Sequence, residues 1–226
     1  GEHSIEEMAD AALALGLEYI AITDHTVSLA MTGGSDEKKL RRQMVAIDAL
    51  NEKYKKAKKK IRILKGAEVN IMKDGSLDIA DSVLKDLDVV GAAVHTNFTM
   101  TEDEMTRRIV RAMENKHVDI LFHPTGRIIN KREPYALNIK EVINAAKSTG
   151  TILEIDCYPT RSDLKDEYVR LAVDAGVKLA IDSDAHHRNH FQFLEYGIGI
   201  ARRGWAEKKD IINTRSAEEM LKLLKS

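Results

Sequence analysis

Five short apolar runs in this chain lead directly into residues of metal-ligand type. Residues 17–23 lead into Asp24 and His25, 61–67 into Glu68, and 89–94 into His95. Residues 118–122 lead into His123 and Pro124, and 177–181 into Asp182, Ser183, Asp184, Ala185 and His186. Short continuous runs of Val, Ile, Leu and Ala are the pattern of a parallel sheet buried on both faces. In parallel α/β folds the functional face lies at the carboxyl ends of the strands. Ligands supplied by nearly every strand must converge to share a site. A barrel achieves that, whereas an open sheet keeps its outer strands too far apart. The expected fold is therefore α/β, one domain over residues 1–226, closing toward a barrel.

The segments between these runs read as helices. Ser4 with Glu7 forms a capping-box pattern ahead of a helix over 5–15, and Gly16 suits its end. A Gly-containing loop over 31–36 precedes a long helix over 37–59. A short helix is expected over 79–84, and Thr101 is placed to cap one over 102–115. Asn138 or Leu137 opens a helix to Ser148, ended by Gly150. After a strand over 151–156, a helix over 164–174 ends at Gly176. A last helix is expected over 216–224. No linker-like stretch of Pro, Gly or Ser divides the chain, and the order is βα repeated.

Composition narrows the function classes. Hydrophobic residues make up 43% and charged residues 31% of the 226, and the net charge is −1. Overall electrostatics therefore do not draw the chain to nucleic acid, and any such affinity is local. The Lys-rich stretch 53–60 lies in a helical context and reads as a solvated face. No apolar run approaches the roughly 20 residues that span a bilayer. The single cysteine, Cys157, excludes an internal disulfide framework and reads as a small buried core residue. With no membrane span and no signal peptide in view, a cytoplasmic location is expected.

His, Asp and Glu together suit zinc, manganese or iron. A bridging carboxylate lets two such ions sit about 3.5–4 Å apart, the arrangement used for phosphoester hydrolysis. Any one of His25, His95 or His123 alone is more often a hydrogen-bonded structural residue. Taken jointly with Glu68 and the Asp184-x-His186 pair, they point to a metal centre. His3 is expected to be solvent-exposed, His117 to lie near a helix C-terminus, and Asp182 to support the site without ligating. Arg127 follows Gly126 in His-Pro-Thr-Gly-Arg, and its planar guanidinium suits phosphate. Lys131, Arg132 and Arg161 could extend that edge, or could form surface ion pairs. His187 and His190 lie beside the last motif, with His187 placed to touch substrate.

The segments Ile22-Thr23-Asp24-His25, Gly66-Ala67-Glu68, His95, His123-Pro124-Thr125-Gly126-Arg127 and Asp182-Ser183-Asp184-Ala185-His186 resemble the PHP (polymerase and histidinol phosphatase) superfamily. Two more stretches resemble the C-terminal PHP domain of bacterial and archaeal family X DNA polymerases. They are Lys131-Arg132-Glu133-Pro134-Tyr135, and Tyr196-Gly197 leading into Ala201-Arg202-Arg203-Gly204-Trp205 and Asn213-Thr214. The resemblance implies a distorted seven-stranded β/α barrel with up to three manganese or zinc ions at its carboxyl face. It implies Glu68, His95 and His123 around one ion, Asp184 joining Glu68 on a second, and His25 and His186 serving a third. Glu68, His95 and Asp184 carry the catalytic role it implies, and Arg127, Arg161 and His187 the phosphate contacts.

That pattern opens with a strand bearing His-x-His, which this chain does not show, since it starts at the following Gly. Six of nine usual ligand positions are present. The expectation is an N-terminally truncated PHP domain lacking its first strand, with two ion sites short of ligands. The activity implied is metal-dependent hydrolysis of DNA phosphodiesters at 3′ ends, with polymerase and helix-hairpin-helix domains upstream in a longer chain. Two alternatives stay open. One is a stand-alone phosphomonoesterase of the histidinol-phosphatase type, and the other a non-catalytic structural domain of the polymerase.

Overall fold

In the computed structural model, residues 2–27 and 33–224 are described. The expected loop over 31–36 lies partly outside them. Six strands, β1 (Tyr19–His25), β2 (Arg62–Asn70), β3 (Val89–Ala93), β4 (Ile120–Leu121), β5 (Ile152–Asp156) and β6 (Leu179–Asp182), pair in sequence order and all in parallel. Helices alternate with them: α1 (Ile5–Ala14), α2 (Glu37–Lys56), α3 (Asp81–Leu84), α4 (Glu102–Met113), α5 (Ile139–Thr149), α6 (Asp166–Ala175), α7 (Leu194–Arg203) and α8 (Ala217–Leu221). The sheet curls into a half-barrel. Its end strands are β1 and β6, six strands among the described residues.

Local chemistry starts and stops the helices much as the sequence predicts. Capping boxes of Ser4 with Glu7, Thr101 with Glu104, and Ser216 with Glu219 open α1, α4 and α8. Each joins two orphan N–H donors to side-chain oxygens. Gly150 and Gly176, at φ 73° and 80°, end α5 and α6 in the left-handed conformation that an L side chain resists. In α2, Leu40, Met44, Ile47 and Tyr54 are buried at helical spacing. The Lys-rich face behind them is solvated, as expected. Lys53 of α2 and Lys59 just past its end pair with Glu6 and Asp10 of α1 at 2.6 and 2.5 Å.

Strand alternation builds the site. On the inner face Leu64, Val89, Ile120, Phe122, Ile152 and Ala180 pack near the amino ends of the strands. Two steps or more further along the same face come Glu68, Asn70, Glu154, Asp156 and Asp182. The period-2 pleat therefore carries an apolar floor up into a polar rim. The outer face packs Ala67, Val69, Val90, Ala92, Leu121, Leu153 and Ile155 under the helices. Gly91 makes room for this interior, because a Cβ there would lie 1.9 Å from the Phe122 ring. A cavity of about 730 Å³, lined by β1 on one side and β6 on the other, opens from floor to rim.

Several expected boundaries change. β4 shrinks from the apolar run 118–122 to Ile120–Leu121, and His123 beyond it takes φ 29°, outside strand geometry. α6 starts at Asp166 after an extended Lys165, not at 164, and α2 stops at Lys56, short of 59. The stretch 188–203, read only as a motif, forms a 3-10 turn (Arg188–Phe193) running into α7. Among the described residues no helix is long and apolar enough to cross a membrane.

Candidate metal centre

The ligand-type residues reach the rim by a repeated device. His95, His123 and Asp184 each lie two residues past the end of their strands β3, β4 and β6, whereas His25 ends β1 and Glu68 lies inside β2. In the β1–β2 ladder His25 stands directly beside Glu68. His123 and Asp184 take φ of 29° and 45°, the strained backbone common where a side chain is turned into a functional site.

Glu68 is the hub. Its Oε1 lies 2.9 Å from Nε2 of His95 and 2.9 Å from Nε2 of His123, and its Oε2 lies 3.3 Å from Nδ1 of His25. One ligand atom from each of His25, Glu68 and His95 falls within 4.8 Å of the others. The rings of His25 and His95, and of His95 and His123, meet edge to face at 5.1 and 5.2 Å. Burial pushes the Glu68 carboxyl pKa up, but its contacts with the ring nitrogens of His123 and His95 and the nearby charge of His123 and His25 outweigh it, so the pKa lies well below the usual range. Burial, together with the charges of His123 and His25, lowers the pKa of His95 even though Glu68 raises it. The arrangement is an anion surrounded by imidazoles, one of which resists protonation.

That donor set fits a divalent cation. Both ring nitrogens of His95 face oxygens, Asn70 Oδ1 at 2.7 Å and Glu68 Oε1 at 2.9 Å. A neutral imidazole has one N–H to offer, so one contact sets a lone pair against an acceptor until a cation lies between them. The Nδ1 of His25 is buried without a hydrogen-bond partner among the described residues. Imidazole nitrogen with a shared carboxylate suits zinc or manganese.

Asp184 and His186 stand across the cavity. The His186 ring is 6.2 Å from that of His25, and His186 Nδ1 lies 2.8 Å from the Asp184 carbonyl oxygen and 3.6 Å from its carboxylate. Arg161 Nε lies 3.3 Å from Asp156 and 3.5 Å from Asp184. Arg127 donates to the carbonyls of Arg161 and Ser162, so it ties the β4 and β5 loops together. Arg132 donates to the Gly126 carbonyl and lies over the Phe98 ring. His187 caps the 3-10 turn, with its ring 4.3 Å from that of His3. His3 is thus half-buried on the cavity wall and not solvent-exposed as expected, because its ring packs against His187.

The structure also reveals buried carboxylates that the sequence reading passed over. The Glu154 carboxylate accepts the backbone N–H of His123, and Asp163 accepts those of Thr125 and Gly126, both at 2.9 Å. These bonds hold the His123 loop. Burial raises the pKa of Glu154, Asp156 and Asp163, and it lifts Asp182, with Asp184 nearby, to about 7. Glu154 and Asp156 were legible as acids at alternate positions of an otherwise apolar strand. Asn70, bonded to His95, carried no such signal.

A curled parallel sheet with a histidine–glutamate centre at its carboxyl rim defines the class: the chain belongs to the PHP domain family, whose model matches residues 1–157. Within it, the chain is 40% identical over 225 residues to the DNA polymerase/3′-5′ exonuclease PolX of Bacillus subtilis (strain 168), covering 100% of this chain and 39% of that protein. It is 31% identical over 221 residues to a probable phosphatase of Thermoanaerobacter sp. (strain X514), covering 93% and 84% of the two chains. Its fold is shared with a histidinol phosphate phosphatase from Lactococcus lactis complexed with zinc, L-histidinol and phosphate. There the TM-score is 0.62 at 15% identity, over 91% of this chain and 89% of that one.

Proposed function

We propose that this chain is a metal-dependent phosphoesterase domain that hydrolyses DNA phosphodiesters at 3′ ends, as part of a longer family X DNA polymerase. The observation that carries the hydrolase reading is the Glu68 carboxylate shared among three imidazoles at 2.9–3.3 Å. Similarity along the whole chain to a protein named as a polymerase and 3′-5′ exonuclease favours DNA as substrate.

Glu68, His95 and His123 would hold one divalent ion, manganese or zinc, with Glu68 and Asp184 placed for a second and His25 and His186 for a third. Ions bound there would supply acidified water and neutralise phosphoryl charge. Glu68 stays anionic and so balances charge inside a buried site. Asp163 and Glu154 fix the loop that presents His123. Arg127, Arg161 and His187 would supply the phosphate contacts, a guanidinium offering paired N–H donors to phosphate oxygens. A cytoplasmic DNA end and upstream polymerase and helix-hairpin-helix domains belong to the same proposal.

The test is digestion of 5′-labelled single-stranded DNA with manganese. Stepwise shortening from the 3′ end is expected, with a loss of about a thousandfold or more in His95→Ala. Undiminished cleavage by that variant would contradict the assignment. Similarity to proteins named as phosphatases favours a second reading, a phosphomonoesterase. Rapid turnover of histidinol phosphate with no action on DNA ends would decide for it.

A further inference from the structure

His95 reaches the centre through Nε2, and its other nitrogen is held by a residue that no family motif marked. Nδ1 lies 2.7 Å from Oδ1 of Asn70, on the same inner face of β2 as Glu68. The Asn70 amide is itself fixed. Its Nδ2 donates to Asp78 Oδ2 at 2.7 Å and to Thr26 Oγ1 at 2.9 Å. The Thr26 hydroxyl donates in turn to the Asp78 carboxylate, at 2.7 Å to Oδ1. Asp78 also accepts the backbone N–H of Asn70 at 3.0 Å, and Thr26 and Asn70 are almost fully buried.

The direction of the relay follows from chemistry, whichever way an amide is drawn. A carboxylate only accepts, so the NH₂ end of Asn70 must face Asp78. Its carbonyl end must then face His95. A carbonyl only accepts, so the His95 hydrogen must sit on Nδ1. Nε2 is left as a lone pair directed at Glu68 and the metal position. We infer that Asn70, locked by Asp78 and Thr26, is a positioning residue that sets both the ring orientation of His95 and the nitrogen it offers to the metal. This rests on the metal-centre reading above. Groups that orient a metal-bound histidine through its second nitrogen commonly change metal affinity by 10–100-fold when removed.

The decisive readout needs no metal. Long-range ¹H–¹⁵N NMR of the metal-free protein shows which His95 nitrogen bears hydrogen. Hydrogen on Nδ1, with Nε2 bare, is expected. Hydrogen on Nε2 overturns the inference outright. Zinc titration against a chromogenic chelator gives the second readout. Asn70→Leu is expected to scramble the His95 signal and weaken zinc binding at least tenfold. The paired exchange Asn70→Asp with Asp78→Asn keeps an acceptor toward His95 and donors behind it, so it should recover affinity to within about threefold. Wild-type affinity in a folded Asn70→Leu protein, or no recovery in the exchange, overturns the inference. If the wild-type chain binds no divalent ion while His95 carries hydrogen on Nδ1, the relay stands and the metal reading fails.

Discussion

Arg161 Nε lies 3.5 Å from Oδ2 of Asp184, so one of the expected phosphate-binding residues faces one of the expected metal ligands. The same nitrogen lies 3.3 Å from Asp156, which is fully buried. Removing the guanidinium leaves a buried carboxylate without its cation. In EDTA at pH 8, Arg161→Met should cost about 3 kcal/mol by urea denaturation, within the usual range for breaking a buried pair. Saturating manganese should at least halve that loss, because an ion at Asp184 replaces the lost charge. An equal loss with and without manganese would mean that Asp184 takes no ion.

The buried acids give the metal-free protein a pH dependence of defined sign. Glu154, Asp156, Asp163 and Asp182 have raised pKa values, Asp182 at about 7. Their unfolded values lie near the ordinary carboxyl range of about 4. Between these limits the folded chain binds more protons than the unfolded one, so stability falls as pH rises. Calorimetry in EDTA should show Tm dropping from pH 5 to pH 8, with a shallower drop in Asp182→Asn. An unchanged slope in that variant would remove Asp182 from the account.

Arg108 of α4 is buried and donates to the carbonyls of Ile71, Met72 and Thr96, the residues just past β2 and just after His95. Arg108→Met should destabilise the fold by about 3 kcal/mol, since three acceptors lose their donor at once. Because Thr96 follows His95, zinc affinity should fall too. Chemical denaturation and the chelator titration read the two effects separately. Loss of stability with affinity intact would show that the His95 loop does not depend on Arg108.

Gly91 lies under the centre, with no room for a methyl group beside Phe122. Gly91→Ala should lower stability by about 1–3 kcal/mol through overpacking. Gly91→Ala combined with Phe122→Leu should recover part of it, and thermal melts of the two proteins check the pairing. No recovery would place the strain elsewhere.

Much of this architecture was legible because the apolar runs and the ligand residues share one register. A buried parallel strand announces itself by continuous Val, Ile and Ala, and the residue after it announces the rim. His25, Glu68, His95 and His123 were found in that way and meet around one carboxylate. What stayed hidden depended on contacts across the sequence. Asn70 acquires its role only when β3 brings His95 beside it. α7 was missed because Gly197 and Gly199 weaken helical propensity. Gly197 is required by packing, since a Cβ there would lie 2.1 Å from Cys157 Sγ. His3 looked exposed because nothing in its neighbours shows that His187, 184 positions later, returns to cover it.

The central claim is that Glu68 and its three histidines hold divalent metal. Elemental mass spectrometry of the chain purified without chelator, beside Glu68→Gln, tests it most directly. The account predicts at least one zinc or manganese ion per wild-type chain and its loss in Glu68→Gln, with the variant still folded by circular dichroism. A wild-type chain that carries no metal, or a Glu68→Gln chain that carries as much, would contradict it.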